Sequence, residues 1–271
     1  MNNTYWTERL AETQNNLTDK SIKQIEKQLR KYYSNTMKKI VADFETVYDK
    51  LLIDMEEGKQ PTAADLYKLD RYWQLQNQLK QELQKLGDKE IELLSKGFIN
   101  NFLNIYNSIT IEGKESFNTI DAAAAKQIVN QVWVADGKNF SQRIWDKKDK
   151  LIETLNDNLI HCVIAGKKTT ELKKLLQERF EVSYNSADTI VRTELAHIQT
   201  QAAKQRYQDY GLTHYKFLAD ADERTCSECR HLDGKRFLFS EMKPGVNAPP
   251  MHPRDRCCII PVVEDEKIIV A

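Results

Sequence analysis

From Ile22 the apolar positions run Ile22, Ile25, Leu29, Tyr33, Met37, Ile40, Phe44, Val47 and Leu51, in steps of three and four. Such a stripe predicts one helix of about eight turns. Thr18 or Asp19 offers an N-cap, and Glu57-Gly58 a stop. The first glycine, Gly58, and the first proline, Pro61, bound a four-residue break before Thr62-Ala-Ala-Asp65, which resembles a capping box. A second helix is expected through Leu66, Leu69, Tyr72, Leu75, Leu79, Leu83 and Leu86, ending at Gly87. The short connection makes the two antiparallel neighbours. A third helix is expected from Asp88 to Ser108.

After Gly113 the predicted helices shorten. One contains Ala122 to Ala125 and ends near Trp133; Asp136-Gly137 then turns the chain towards Ser141, the expected N-cap of a helix reaching Gly166. Thr169 or Thr170 starts another. Ser183 starts the last, with Ala187, Val191, Leu195, Ile198 and Ala202 on one face. Beyond Gly211 the period drops to two. Thr213–Ala219, Lys235–Phe239 and Cys257–Val263 read as strands, with Asp233-Gly234 as a hairpin dipeptide. The fold class is therefore mainly α: a long-helix N-terminal body, followed by a small β-rich module.

Composition narrows the function classes. Of 271 residues, 41 % are hydrophobic and 30 % charged, with 40 basic side chains against 40 acidic, so no global field points to nucleic acid. No stretch approaches the roughly 18 apolar residues of a membrane span, and the N-terminus lacks the apolar core of a secretory signal. A cytoplasmic origin is expected, where thiols stay reduced and clustered cysteines favour metal over disulfide.

Four of the five cysteines, Cys226, Cys229, Cys257 and Cys258, lie in the last quarter with His252. The spacing C-x2-C … H-x4-C suits a structural zinc held by Cys226, Cys229, His252 and Cys257. Prolines flank His252 and limit the freedom of its loop. In an extended segment Cys258 points away from Cys257. A disulfide pair, or plain buried thiols, are the alternatives; Asp255 and His231, the latter expected on a short strand, are alternative ligands. A module of about 50 residues buries too little to fold robustly alone, and a closed zinc site supplies the difference. Cys162, alone in an apolar helix, reads as core.

Other chemistry is sparse. Glu194-Leu-Ala-His197 lacks the second E-x-x-H that a di-iron bundle needs, and reads as a solvated or salt-bridged helix face. No H-E-x-x-H, P-loop, G-x-S-x-G or deaminase pattern occurs. Arg192 could pair with Asp222 or Asp233 and lock the module to the helices.

These motifs together carry a resemblance. Arg192-Thr-Glu194, Asp222-Glu-Arg-Thr-Cys226-Ser-Glu-Cys229, Leu232-Asp-Gly-Lys235, Gly245-Val-Asn247 and Pro249-Pro-Met-His-Pro253 resemble the phage Mu F-type minor head proteins, or head-morphogenesis proteins. Asp136–Trp145 and Tyr5–Arg9 look like the same family's upstream regions. Relatives end H-P-x-C-R-C, whereas this chain reads His252-Pro-Arg-Asp-Arg-Cys-Cys258; that leaves Cys257, Cys258 or Asp255 as the fourth ligand, with Cys257 preferred.

The resemblance implies a non-enzymatic minor head protein of a tailed phage or prophage, acting in head morphogenesis and in DNA packaging or ejection. Its implied partners are the portal protein, other head proteins and packaged DNA, with no membrane and no small-molecule substrate. It would be found in the host cytoplasm during assembly and then in the virion. The long helices with exposed stripes would dock on the portal. The family also occurs joined to ADP-ribosyltransferase domains, and the end at Ala271 is read as leaving no room for one.

The expected organisation is a helical hairpin at 1–110, a Mu F-type helical body at 111–211, a zinc module at 212–263 and an acidic tail at 264–271. Two alternatives compete. One is a zinc-dependent nuclease using Asp222, Asp233 or His231. The other is a nucleic-acid-binding zinc module, although residues 211–263 carry eight basic against seven acidic side chains.

Overall fold

A computed structural model describes residues 3–53, 62–111, 116, 118–220, 222–263 and 268–270. Seven helices and five strands are assigned among them: α1 Asn3–Ile53, α2 Ala63–Leu66, α3 Asp70–Ser108, β1 Ile109–Ile111, α4 Ala122–Val129, α5 Phe140–Ile164, α6 Thr169–Asp209, β2 His214–Leu218, α7 Ser227–Leu232, β3 Arg236–Leu238, β4 Cys258–Pro261 and β5 Ile268–Val270. The chain is mainly helical with a small C-terminal sheet.

Three helix boundaries differ from those expected, two of them for a packing reason. Helix α1 starts at Asn3, not at Thr18 or Asp19. Thr18 is 7 % exposed and accepts a hydrogen bond from Asn101 Nδ2 at 3.4 Å, so it fills the helix interior face instead of capping it. Gly87 does not end a helix, because α3 runs through it to Ser108. A Cβ there would stand 2.6 Å from Trp145 Cζ3, so the glycine admits an indole ring against the helix. Ser183 likewise lies inside a single α6. The expected stop at Gly58, the break to Pro61 and the turn at Gly113 lie outside the described residues.

The chain divides into two compact units that do not follow linear order. One comprises Met1–Glu26, Leu94–Phe140 and Thr189–Ala271; the other comprises Lys27–Leu93 and Ser141–Asp188. Sequence boundaries at 110 and 211 therefore fall inside the first unit.

In the second unit the stripes bury one another. Leu29, Tyr33, Ile40 and Phe44 of α1, Leu75, Leu79, Leu83 and Leu86 of α3, Leu151, Leu155 and Leu159 of α5, and Leu172, Leu176 and Phe180 of α6 are all no more than 5 % exposed. At about 25 cal/mol per Å2 of buried apolar surface, this is the dominant favourable contribution to folding. The stripes thus have intramolecular partners and are not exposed as expected. Tyr33 meets Glu90 at 3.1 Å and Lys39 meets Glu82 at 2.6 Å, so α1 and α3 run antiparallel.

The core of this unit also contains an ion pair. Lys148 Nζ lies 2.6 Å from Glu90 Oε2, with side chains 1 % and 0 % exposed. The Tyr33 hydroxyl donates to Glu90 and accepts from Lys148.

The first unit carries the sheet. Strand β2 lies between β3 and β4, antiparallel to both, in the order β3-β2-β4. The three expected strands are present. Tyr215 and Phe217 point inward and are fully buried, as alternation along a half-covered strand requires. Cys258 and Ile260 on β4 pack on Ala11 of α1. Gln14, also on α1, donates to Tyr207 of α6 at 3.0 Å.

Strand β5 pairs antiparallel with β1, Ile109 opposite Val270. Ile268–Val270 is therefore a strand and not part of an acidic tail; Glu264–Glu266 lie outside the described residues. No helix among the described residues is long and apolar enough to cross a membrane.

Candidate metal centre

The donors of the site come from two segments anchored on the sheet. The first leaves β2 at Leu218 and reaches α7. Cys226 caps α7, its Sγ accepting from the Cys229 N–H at 3.4 Å, which sets both sulfurs on one side. The C-x-x-C thus sits on a short helix, and so does His231, which was expected on a strand. Asp233 Oδ1 accepts from Ala219 N at 3.0 Å, and Gly234 N–H donates to Phe217 O at 2.9 Å, returning the chain to β3.

The second segment enters β4. Asn247 folds its start, accepting from Lys243 N at 2.7 Å and donating to Glu241 O at 2.9 Å. Asp255, 4 % exposed, folds its end: Oδ2 accepts from Met251 N at 2.7 Å and Oδ1 from Cys257 N at 2.9 Å. Asp255 therefore braces the loop that presents His252 and Cys257.

The ligand atoms of Cys226, Cys229 and His252 lie within 4.8 Å of one another, as do those of Cys229, Asp255 and Cys257. Cys229 belongs to both groups, so four other donors gather around its sulfur. Cys229 Sγ stands 3.8 Å from His252 Nε2. Zn–S bonds of about 2.3 Å imply tetrahedral edges of about 3.7 Å, so this donor set fits zinc. His252 Nδ1 lies 3.0 Å from Pro253 O, a pure acceptor, so Nδ1 carries the proton and Nε2 offers its lone pair to the sulfurs.

Cys258 does not join them. It packs with Ala11 and Ile260, whereas Cys257 packs with Phe217 and Cys229, because neighbouring residues on a strand face opposite sides. All five cysteines are free thiols, including buried Cys162 on α5.

The thiols differ in acidity for physical reasons. The backbone N–H of Cys229 draws the Cys226 thiol below its ordinary range. Burial pushes Cys229 up to about 12. Burial, reinforced by Asp255, raises Cys257 further. The contact with Pro253 O raises His252. A metal ion bound there would replace the protons on these sulfurs and relieve the cost of burying thiolates.

The cluster borders a cleft of about 680 Å3 whose wall includes Arg192, Arg224, Arg254 and Arg256. Arg192 pairs with Glu26 of α1, not with Asp222 or Asp233. The link between loop and helix comes instead from Arg254, at a positive φ of 61°. Its N–H donates to Thr193 Oγ1 at 3.1 Å and its Nε–H to Thr189 Oγ1 at 3.1 Å, both on α6.

Glu194 is 2 % and His197 6 % exposed, so the E-x-x-H is buried and not a solvated face. Trp133 explains it: its Nε1–H donates to Glu194 Oε2 at 2.9 Å, and its ring stacks on His197 at 4.2 Å and 8°. Arg192, Thr193 and Glu194 therefore tie α6 to α1, to the loop at Arg254 and to the segment after α4, one residue each.

The residues considered for a nuclease do not converge. Asp222 is held by Arg256 and Arg224, Asp233 by Ala219, and His231 Nε2 stands 2.7 Å from Lys235 Nζ. None of the three belongs to a donor group among the described residues.

Comparison with known proteins agrees with the resemblance over one stretch. Residues 153–260 match the family described as Phage Mu protein F like protein. The NAD(+)--arginine ADP-ribosyltransferase EFV of Enterococcus faecalis is 30 % identical over 109 residues, 39 % of this chain and 22 % of that protein. The chain thus spans about a fifth of the length of that curated relative. No solved structure matches.

Proposed function

Because residues 153–260 form a phage Mu F-like segment, we propose that this chain is a structural minor head protein of a tailed phage or prophage, and not an enzyme. Its partners are the portal protein and other head proteins, and its work is head morphogenesis, with DNA packaging and ejection downstream. It assembles in the host cytoplasm and ends in the virion. The family match carries this reading. The test is co-purification with the cognate portal protein; a chain that stays monomeric and ignores the portal would refute it.

Within that role, Cys226, Cys229, His252 and Cys257 hold a structural zinc. The supporting observation is the gathering of these donors around Cys229, with His252 presenting Nε2. Asp255 is the brace, because both its oxygens already accept backbone N–H groups that shape the loop. Bound there, zinc contributes stabilisation to a three-stranded sheet whose strands are three to five residues long. Metal analysis of the purified chain should find one zinc per chain, and none after Cys229→Ser. A nuclease assay with a chelator control should be silent throughout.

A further inference from the structure

We infer that Arg256 is a positioning residue that joins the two ligand-bearing segments and sets how tightly the cluster holds its metal. This rests on the metal reading above.

Four donors must meet from segments far apart in sequence. The β2–β4 ladder holds those segments together only as far as Leu218 opposite Cys258. Beyond Leu218, the chain that carries Cys226 and Cys229 has left the sheet. Arg256 stands at this gap, next in sequence to Cys257. Its Nη1 lies 2.7 Å from Asp220 Oδ2 and its Nη2 2.5 Å from Asp222 Oδ2. One guanidinium fork thus grips two carboxylates on the opposite segment, a geometry an ammonium point charge cannot reproduce.

The far end of the latch is itself fixed. Asp222 Oδ1 accepts from Arg224 N at 2.9 Å, and its Oδ2 meets Arg224 Nη2 at 3.0 Å. Thr225 donates to Asp220 O, and Arg230 Nη2 reaches Asp222 O at 3.5 Å from inside α7. Asp220 and the 222–225 turn are therefore held by hydrogen bonds, and Arg256 sets their distance from Cys257. This gives Asp222-Glu-Arg-Thr-Cys226 a role that the ligands alone do not explain.

The latch is reached by solvent: Arg256, Asp220 and Asp222 side chains are 40 %, 33 % and 29 % exposed. Salt should weaken it, whereas metal–sulfur bonds are not screened in that way. Partners outside the ligand shell change metal affinity by about 10- to 100-fold.

The experiment is competition for zinc between the full-length chain and a chromophoric chelator, under reducing conditions, at low and high salt. Arg256→Met should weaken zinc binding at least about tenfold and flatten the salt dependence seen in the unmodified chain. Arg256→Lys, which keeps charge without the fork, should fall between the two, and it supplies the readout if the methionine variant misfolds. Equal affinity and equal salt response in all three proteins would overturn the inference while leaving the metal site standing. No zinc uptake by the unmodified chain would overturn the metal reading and this inference with it.

Discussion

The two units bury polar groups by opposite means. In the second, Lys148 and Glu90 are almost wholly excluded from water and satisfy each other at 2.6 Å, with Tyr33 completing the contact. That arrangement draws only on side chains of the chain itself, and its cost is the desolvation of two charges and of Glu90 Oε1, which is buried without a hydrogen-bond partner. In the first, Cys226, Cys229, His252 and Cys257 have only weak partners in one another. Such a cluster is well matched to an ion it does not itself supply. The helical unit should therefore be indifferent to chelation, and the sheet-bearing unit sensitive to it.

Metal removal should break this comparison most visibly. Exhaustive chelation, or Cys229→Ser, should forfeit stabilisation on the order of 10 kcal/mol. Limited proteolysis should then cut within residues 212–263 while the helical dichroism persists. If that segment resists protease equally well without metal, the clip is not what orders it.

The metal-free state has its own pH signature. Cys229 is raised from about 9 to about 12 by burial, so the native state favours the protonated thiol. Its contribution is complete below about pH 9 and is lost as pH climbs towards about 12. The chelated chain should melt at lower temperature across that alkaline window, whereas zinc affinity should weaken towards acid, because protons compete for the sulfurs.

In the second unit, Lys148→Met leaves a carboxylate buried without its partner and should cost about 3–5 kcal/mol. The double change Lys148→Met with Glu90→Leu should recover most of that loss in a thermal melt. A double variant no more stable than the single would show that the pair stabilises in its own right.

Gly87→Ala sets helix propensity against packing. Alanine gains about 1 kcal/mol of propensity, but its Cβ would meet the Trp145 ring at 2.6 Å. Overpacking of that kind costs about 1–3 kcal/mol, so the variant should be less stable, with altered tryptophan fluorescence. The smallest effect is expected for Thr189→Ala, which removes one hydrogen bond from Arg254 and should cost about 1 kcal/mol by denaturant titration.

Several buried residues that the apolar pattern does not place share one property: they are polar side chains on an apolar stripe. Leu10, Gln14, Thr18 and Ile22 keep a step of four along α1, and all are buried. Because two of the four are polar, the helix seems from its sequence to begin only at Ile22. Glu90 falls midway between Leu86 and Leu94, and Lys148 four residues after Ile144, each on the core face. Glu194 and His197 interleave with Val191, Leu195 and Ile198 in the same way. A charged residue in register with a stripe was the signal available, and a binary reading of polarity passes over it.

The site was more legible than the body. Cysteine spacing, the prolines around His252 and strand alternation were enough to separate Cys257 from Cys258, because these are local properties of backbone geometry. The partners of Arg192 and Glu194 were not legible, since Glu26 and Trp133 lie 166 and 61 residues away. That both Asp255 oxygens accept backbone N–H groups also became visible only in the folded loop.

By itself, the amino-acid sequence determined the helical period, the strand period, the spacing of the cysteines and His252 and the likeness to phage head proteins, all of which depend on near neighbours along the chain. Tertiary structure decided that a glycine continues a helix to admit an indole, that two units draw on interleaved segments, and that Arg254 meets Thr189 and Thr193 while Arg256 meets Asp220 and Asp222. Those outcomes depend on which distant surfaces are brought within contact, and an ion pair or a packed ring is stable only once its partner is there.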